Sequence, residues 1–476
     1  MTVIIVTFLS FLFIFILIGV SSAMKAEKTT KDYLIASRNI PSWLASLSAA
    51  ATNTSGYMFI GLIGYTYKAG LSSIWVTIGW ICGDYFIWRS VYKKLRTESE
   101  EAEVSTVPSF LAGRPGQESR LITIVAGILT LVILAAYASA QLTAGSKALH
   151  VLFKWNYSVG AIIGAIIVVL YCLAGGIRAS IWTDAAQAIV MIISMSFLLG
   201  SAMLTVGSPV ALFAELKAID ANLVALFPEN LQFGIVLFIL GWFFAGIGVI
   251  GQPHMAIRIM TIKSVEAMKT ARRAYFGWYI PFSITAVGVG LYSRVILPNV
   301  KAFDPELALP LMAKELMPEI FVGLILAGLF AATMSTADSQ VLSSSAALTQ
   351  DIFPDFGKNR LRTKAGTVII VFIALCIAVF LPGNKSVFTL VVLAWSLLGA
   401  SIGPVMILRS LGVNLSGLAG SSMMISGAAA TILWRFFLGY HTSIYDILPG
   451  IAAAVLVFFV FKIYEAIKGT SINEQA

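Results

Sequence analysis

The sequence predicts an all-α, polytopic membrane protein with about 13 transmembrane helices, and three observations lead there. The 476-residue chain is 58% hydrophobic with a mean hydropathy of +0.90. Only 12% of its residues are charged, about half the roughly 25% of a soluble domain. Solid apolar runs recur from Val3 almost to the end, and a hydrocarbon core of about 30 Å takes roughly 20 such residues per helix. An outer-membrane barrel would alternate polarity over strands of roughly ten residues, which these runs do not.

In order, the runs place spans at 3–23, 42–66, 73–91, 121–144, 156–177, 185–206 and 233–253, then at 275–296, 319–346, 364–382, 387–408, 415–435 and 445–463. No Lys or Arg precedes Lys25, so the first span reads as a retained helix and not as a cleaved signal peptide. Counting from an outward N-terminus puts 23 of the 32 basic residues, Arg258 among them, on the cytoplasmic side, as the positive-inside rule requires. The expectation is a multi-pass protein of the plasma (inner) membrane, N-terminus outside and C-terminus cytoplasmic. Topology thus accounts for the net charge of +9. A nucleic-acid partner would need a clustered basic face on a soluble domain, and the longest polar stretch, 93–120, is too short for one. The acidic run Glu98 to Glu103 reads as a solvated loop or interfacial helix face.

Cys82, Cys172 and Cys376 fall inside apolar spans, where a thiol behaves as a small hydrophobe. His150, His254 and His441 show no metal-ligand spacing. Haem, zinc and metalloprotease chemistry are disfavoured, and no nucleophile–base pair at workable spacing suggests an enzyme.

Two spans are broken. Span 42–66 carries Ala51-Thr52-Asn53-Thr54-Ser55-Gly56 at its middle, and span 233–253 carries Gly246, Gly248, Gly251 and Pro253. Unwound backbone at membrane depth is tolerated only where protein or a wet cavity surrounds it. Each break opens a run of five spans, 42–206 and 233–408, and five, being odd, must return inverted. Inverted repeats with paired broken helices mark the binding site of many secondary transporters. Close packing of small residues is the competing account for either span alone.

Polar groups at membrane depth gather in the span 319–346, where Ala332, Ser335, Thr336 and Ser339 share one helical face. Hydroxyls on one helix, with carbonyls freed at an unwound neighbour, suit a bare sodium ion; back-bonding to the helix's own i−4 carbonyls is the alternative. Asp84, Asp184 and Asp338 lie within or at the edge of spans, and intramembrane acids are functional candidates by default. Asp184 either serves the start of the helix that follows it or joins Asp338 and Ser339 around a second cation; Asp338 otherwise lines an inner vestibule. Asp84 has no evident partner. Tyr137 and Gln141, one helical turn apart, offer polar ends to the bundle interior.

These residues also carry a resemblance. Asp32-Tyr33, Ser48 to Gly61, Gly175-Gly176, Trp182 to Gln187, Gly251-Gln252-Pro253-His254 with Arg258, and Ala331 to Asp351 resemble the sodium/solute symporter family, most closely its sodium/proline branch. The resemblance implies a leucine-transporter-like core of five plus five inverted helices. Residues 1–24 form an extra helix before the core, 415–463 two helices after it and 464–476 a cytoplasmic tail. It implies a sodium ion bound by the carbonyls of Ala51, Thr54 and Ala332 and the side chains of Ser335 and Thr336, with a second cation position near Asp184, Asp338 and Ser339. It places the solute at Asn53, Ser55, Gly56, Tyr57, Tyr137, Gln141, Ala245 and Val249. Ser55, Gly61 and Tyr137 match the branch, whereas Asn53 stands where proline transporters have Asp, Tyr57 replaces a tryptophan, and Ala245 and Val249 replace aromatic residues. The pocket is remodelled.

The expected activity is therefore sodium-coupled import of a small polar organic solute, an amino acid such as proline or a related small carboxylate, by alternating access. The partners are the solute, sodium and the lipid bilayer. Proton coupling on the same fold and a transport-like solute sensor are the alternatives.

Overall fold

The structure, a computed structural model, describes residues 1–24, 27, 29–229, 231–299, 303–380 and 386–473. Lys25 and Lys28, counted above for orientation, and the end of the tail beyond Asn473 lie outside the described residues. The described chain is helical, with one isolated bridge between Ile40 and Ile262.

The long helices are α1 (Thr2–Ala23), α2 (Ser42–Gly56), α3 (Ile63–Ala69), α4 (Ile74–Ser90), α5 (Arg120–Phe153), α6 (Tyr157–Val206) and α7 (Gly234–Ile247). They continue as α8 (Pro253–Met260), α9 (Met268–Ile296), α10 (Glu319–Ala346), α11 (Arg360–Phe380), α12 (Val387–Ser410), α13 (Gly417–Ile432) and α14 (Ile447–Asn473). Among the described residues, ten helices are long and apolar enough to cross a membrane. The difference from 13 expected spans arises at three places. The runs 156–177 and 185–206 fuse into the 50-residue α6, which at 1.5 Å per residue is about two and a half times the hydrocarbon thickness. The run 42–66 is divided between α2 and α3, and α4 has only 17 residues.

Each interruption has a local cause. In α2, Ser55 holds φ +49°, a region that disfavours side chains, and its Oγ accepts the Tyr57 amide at 3.0 Å. A π-helical turn over Tyr57–Leu62 then leads into α3. In α6 the bend lies at Gly176, φ +59°, where a Cβ would meet the Tyr33 carbonyl at 2.3 Å. Asp184 therefore sits inside α6, beyond the bend, and not at a helix start as one reading of the sequence had it. Between α7 and α8 a 3-10 turn spans Gly248–Gly251, and Pro253 opens α8 at the position where its missing N–H costs nothing.

α10 is the axis of the bundle, packed on α1, α2, α5 and α6, with every residue from Ile325 to Ala346 buried. Its hydroxyl-rich segment consequently meets protein and not lipid. α4 and α7 touch through bare backbone, since a Cβ on Gly83 would meet the Phe243 carbonyl at 2.0 Å and one on Gly246 the Trp80 carbonyl at 2.1 Å. Small residues allow such close approach.

The charges are more engaged than a topology count suggests. Arg38 donates to the Ser99, Met260 and Val104 carbonyls, Arg178 pairs with Asp32 and Arg409 with Glu98. The acidic run lies partly in the helix Tyr92–Glu101, where hydrogen bonding to Arg96 holds the Glu100 carboxyl below its ordinary range. Arg258 is a correction to the cytoplasmic count. It is wholly buried.

Candidate functional site

Where α2 crosses α10, five oxygens from two helices converge. Ser335 Oγ stands 3.1 Å from the Ala332 carbonyl and 3.4 Å from the Ala51 carbonyl across the interface. Thr336 Oγ1 stands 3.1 Å from the Ala332 carbonyl and 2.9 Å from the Thr52 carbonyl. All of these residues are buried. Ala51, Ala332, Ser335 and Thr336 are thus brought together as expected. Thr54 is placed differently: its carbonyl accepts the Tyr57 amide and its hydroxyl donates to the Ala50 carbonyl at 2.8 Å. The carbonyl that faces Thr336 belongs to Thr52, which the sequence reading did not single out.

Asp184, Asp338 and Ser339 also come together, around a group the sequence reading had placed in the cytoplasm. Arg258 on α8 inserts its guanidinium between α2, α6 and α10. It donates to Asp184 Oδ2 at 2.8 Å, Ser180 Oγ at 3.0 Å, Ser48 Oγ at 2.8 Å and the His254 carbonyl at 2.8 Å, and it contacts Ser339 Oγ. Ser48 donates to Asp184 at 2.6 Å, and Ser180 and Ser339 donate to Asp338 at 3.1 and 2.9 Å. The guanidinium thus pairs with Asp184 and reaches Asp338 only through Ser180 and Ser339, and among the described residues Asp184 Oδ1 and Asp338 Oδ2 have no hydrogen-bond partner. A cationic residue in the otherwise apolar α8, directly after a broken span, was the available signal for Arg258.

The eight expected solute residues are all buried, and Asn53, Ser55, Gly56 and Tyr57 lie at the break in α2 itself. The Gly56 amide donates to Gln141 Oε1 at 2.8 Å, tying the break to α5. Tyr137, one turn earlier on α5, meets His254 edge-on at 5.8 Å. Tyr57 stacks between Trp80 at 5.3 Å and Phe388 at 5.5 Å. Ala245 joins this wall indirectly: Trp395 donates to the Ala245 carbonyl at 2.8 Å and lies 4.7 Å from Trp80. Trp80, Trp395 and Phe388 supply the aromatic surface that Ala245 and Val249 lack. Asn53 bonds to Asp84 and Tyr275, which gives Asp84 the partners its sequence context did not disclose.

One end of the bundle, where α3 stops and α12 begins, is latched by Glu306. Its carboxylate accepts the Val387 and Phe388 amides at 2.9 Å each and the Ser386 hydroxyl at 2.7 Å. An acid there also complements the α12 N-terminal dipole. The buried Lys147 of α5 pairs with Glu306 at 2.7 Å and Asp304 at 2.9 Å. Phe388, held by this latch, stacks on Tyr65 at 5.2 Å as well as on Tyr57. A cavity of about 170 Å³ runs between Tyr65, Lys68, Glu306 and Phe388.

Removing one partner of a buried ion pair costs roughly 3–5 kcal/mol, enough to shift a closed–open balance by about 100-fold or more. Glu306→Ala is therefore expected to lower solute uptake at least ~10-fold and to speed labelling of a cysteine placed at Tyr65 by a membrane-impermeant maleimide. Unchanged labelling would remove the latch from the gating scheme.

The chain is similar to several known proteins. A family model described as the sodium:solute symporter family matches residues 33–416. The chain is 31% identical over 457 residues to the high-affinity proline transporter PutP of Bacillus subtilis (strain 168), covering 93% of this chain and 95% of that protein. It is 31% identical over 464 residues to the sodium/proline symporter of Staphylococcus aureus (strain USA300), covering 94% and 90%. Among solved structures it is similar to a Na+-coupled sialic acid symporter in a substrate-bound outward-open state. The TM-score there is 0.76 at 18% identity, covering 95% of this chain and 97% of that one. A nucleobase-cation-symport-1 family transporter in a closed conformation matches at a TM-score of 0.57 and 14% identity, covering 89% and 93%.

Proposed function

The chain belongs to the sodium:solute symporter family, with a leucine-transporter-like helical fold, and within its sodium-coupled solute import we propose that the solute is an amino acid such as proline or a related small carboxylate. The observation that carries the coupling is the oxygen cluster between the broken α2 and α10. Sodium held by the Ala51, Thr52 and Ala332 carbonyls and the Ser335 and Thr336 hydroxyls fastens the break in α2 to α10. The solute then sits across that break, against Asn53, Ser55, Gly56 and Tyr57 on one side and Tyr137, Gln141, Ala245 and Val249 on the others. The family names of the relatives support the amino-acid reading, and the aromatic wall of Trp80, Trp395 and Phe388 supports a compact solute with an apolar face.

Residues 42–206 and 233–408 act as two inverted repeats, with 1–24 before them, 415–463 after them and 464–476 as a cytoplasmic tail. The N-terminus faces outward. Rocking of the bundle led by the broken helices exposes the site to each side in turn. Low internal sodium and the membrane potential, about 2.3 kcal/mol per charge per 100 mV, favour inward release. At Asp184, Asp338 and Ser339 the guanidinium of Arg258 already supplies positive charge, so a second free cation there competes with it.

Proteoliposomes containing the purified protein should accumulate labelled L-proline only under an inward sodium gradient. Equal accumulation under a proton gradient without sodium would replace sodium by protons as the coupling ion, a rival kept in play by the unpartnered Asp338 Oδ2.

A further inference from the structure

We propose that Asp84 and Asn53 form a subsite for a positively charged nitrogen group of the solute, so that the transported molecule is a protonated amine and not a plain carboxylate. The inference rests on the solute-import reading above and narrows its substrate class. Asp84 lies on α4 and is 0% exposed, and Asn53 on α2 is 3% exposed. Tyr275 of α9 donates to Asp84 Oδ2 at 2.6 Å, and the Asn53 amide reaches Tyr275 Oη at 2.5 Å and Asp84 Oδ2 at 3.3 Å. These three side chains satisfy one oxygen of the acid and leave two acceptors over. Asp84 Oδ1 and Asn53 Oδ1 are buried without a hydrogen-bond partner. Among the described residues no Lys, Arg or His forms an ion pair with Asp84. Asp184 and Asp446, also buried, have Arg258 and Arg435 beside them. A buried acid and amide that each keep one oxygen without a donor match a ligand that brings donors and a positive charge.

The surroundings fit an organic cation. Trp80 and Trp88 lie one turn to either side of Asp84 on α4, and Trp88 lies 4.9 Å from the Tyr275 ring. Aromatic faces attract ammonium groups by cation–π interaction. The position also adjoins the proposed solute path from three directions. Asn53 is two residues from the break at Ser55, Trp80 stacks on Tyr57, and the Asp84 amide lies 2.6 Å from where a Cβ on Gly246 would stand, next to Ala245. A sodium ion would instead seek hard oxygens on most sides, whereas the neighbours of Asp84 include the indoles of Trp80 and Trp88 and the phenol of Tyr275.

Thermal unfolding of the full-length protein in detergent tests this with matched probes: L-proline against N-acetyl-L-proline, L-alanine against N-acetyl-L-alanine, and pyruvate, each in sodium and in potassium. Sodium alone should raise the unfolding midpoint. L-Proline or L-alanine should raise it further, and the N-acetyl partners and pyruvate should not. Asp84→Asn should keep the sodium response and need at least ~30-fold more amine, the scale for truncating one partner of a buried charge pair. Ser345→Ala, outside the site where its hydroxyl donates to the Thr363 carbonyl, should keep both responses, and the retained sodium response of Asp84→Asn separates lost charge from lost fold. The proposal is overturned if an N-acetyl partner or pyruvate matches its amine, if no amine responds, or if Asp84→Asn responds like the parent. It is equally overturned if Asp84→Asn loses the sodium response while its sodium-free midpoint stays unchanged, because the acid then serves sodium. Failure of the underlying symport reading is a different pattern, in which the parent protein shows no sodium response at all.

Discussion

Replacing Ser335 and Thr336 together by alanine is expected to raise the sodium concentration for half-maximal uptake by more than ~100-fold. A hydrogen bond or ligand contact to a charged partner contributes about 1.5–3 kcal/mol, so each hydroxyl alone is worth about 10–100-fold. The geometry makes the pair non-redundant. Ser335 faces the Ala51 carbonyl and Thr336 the Thr52 carbonyl, so each removal strips one contact from a different edge of the same cage. Neighbouring contacts couple, and the double variant should fall short of the product of the singles. Ser345 is the control. It lies about two and a half turns beyond Thr336 along α10, where it donates to the Thr363 carbonyl at 3.1 Å, and Ser345→Ala should leave sodium dependence within about 2-fold. Flux measured against external sodium in proteoliposomes separates these cases, and an unchanged curve for the double variant would place the sodium elsewhere.

That cage was legible in the sequence because both of its halves announce themselves locally. Hydroxyls at Ser335, Thr336 and Ser339 repeat at helical spacing inside an apolar span, and Asn53 to Gly56 interrupt another. Periodicity and breakers act within a few residues, and so do their signals. The Thr52 carbonyl was less accessible, since which backbone oxygen turns toward α10 depends on Ser55 adopting φ +49°. Long-range partners left no local trace. Asp84 meets Tyr275 across 191 residues, and Glu306 meets Phe388 across 82. Arg258 was misplaced for an instructive reason. A hydropathy reading sends an arginine to the nearest aqueous face, and only tertiary packing shows that Asp184, Ser48 and Ser180 bring hydrogen-bond partners to it inside the bundle. The fused α6 has the same character, because hydropathy drops between its two runs while the backbone stays helical beyond Gly176.

Arg258→Met should destabilise the protein by about 3–5 kcal/mol, the usual consequence of removing one member of a buried ion pair. Methionine fills much of the same volume, so the loss is electrostatic and not a cavity. Asp184, Ser48, Ser180 and Ser339 lose their shared donor at once. Asp184 then stands uncompensated beside Asp338. Arg258→Lys keeps the charge but lacks the planar fork that reaches several acceptors together, so it should lie between the parent and Arg258→Met. The reverse removal is not symmetric. In Asp184→Asn the guanidinium still has Asp338 near Ser180 and Ser339 as a counter-acid, so its cost should be well below that of Arg258→Met. Combining Arg258→Met with Asp184→Asn removes the charge and its partner together, and should recover most of the loss. Unfolding midpoints of the four variants in detergent would rank them. If the combined variant is no more stable than Arg258→Met alone, the guanidinium stabilises the bundle through its bonds to the serines, and the balance of charge between Arg258 and Asp184 has little part in it.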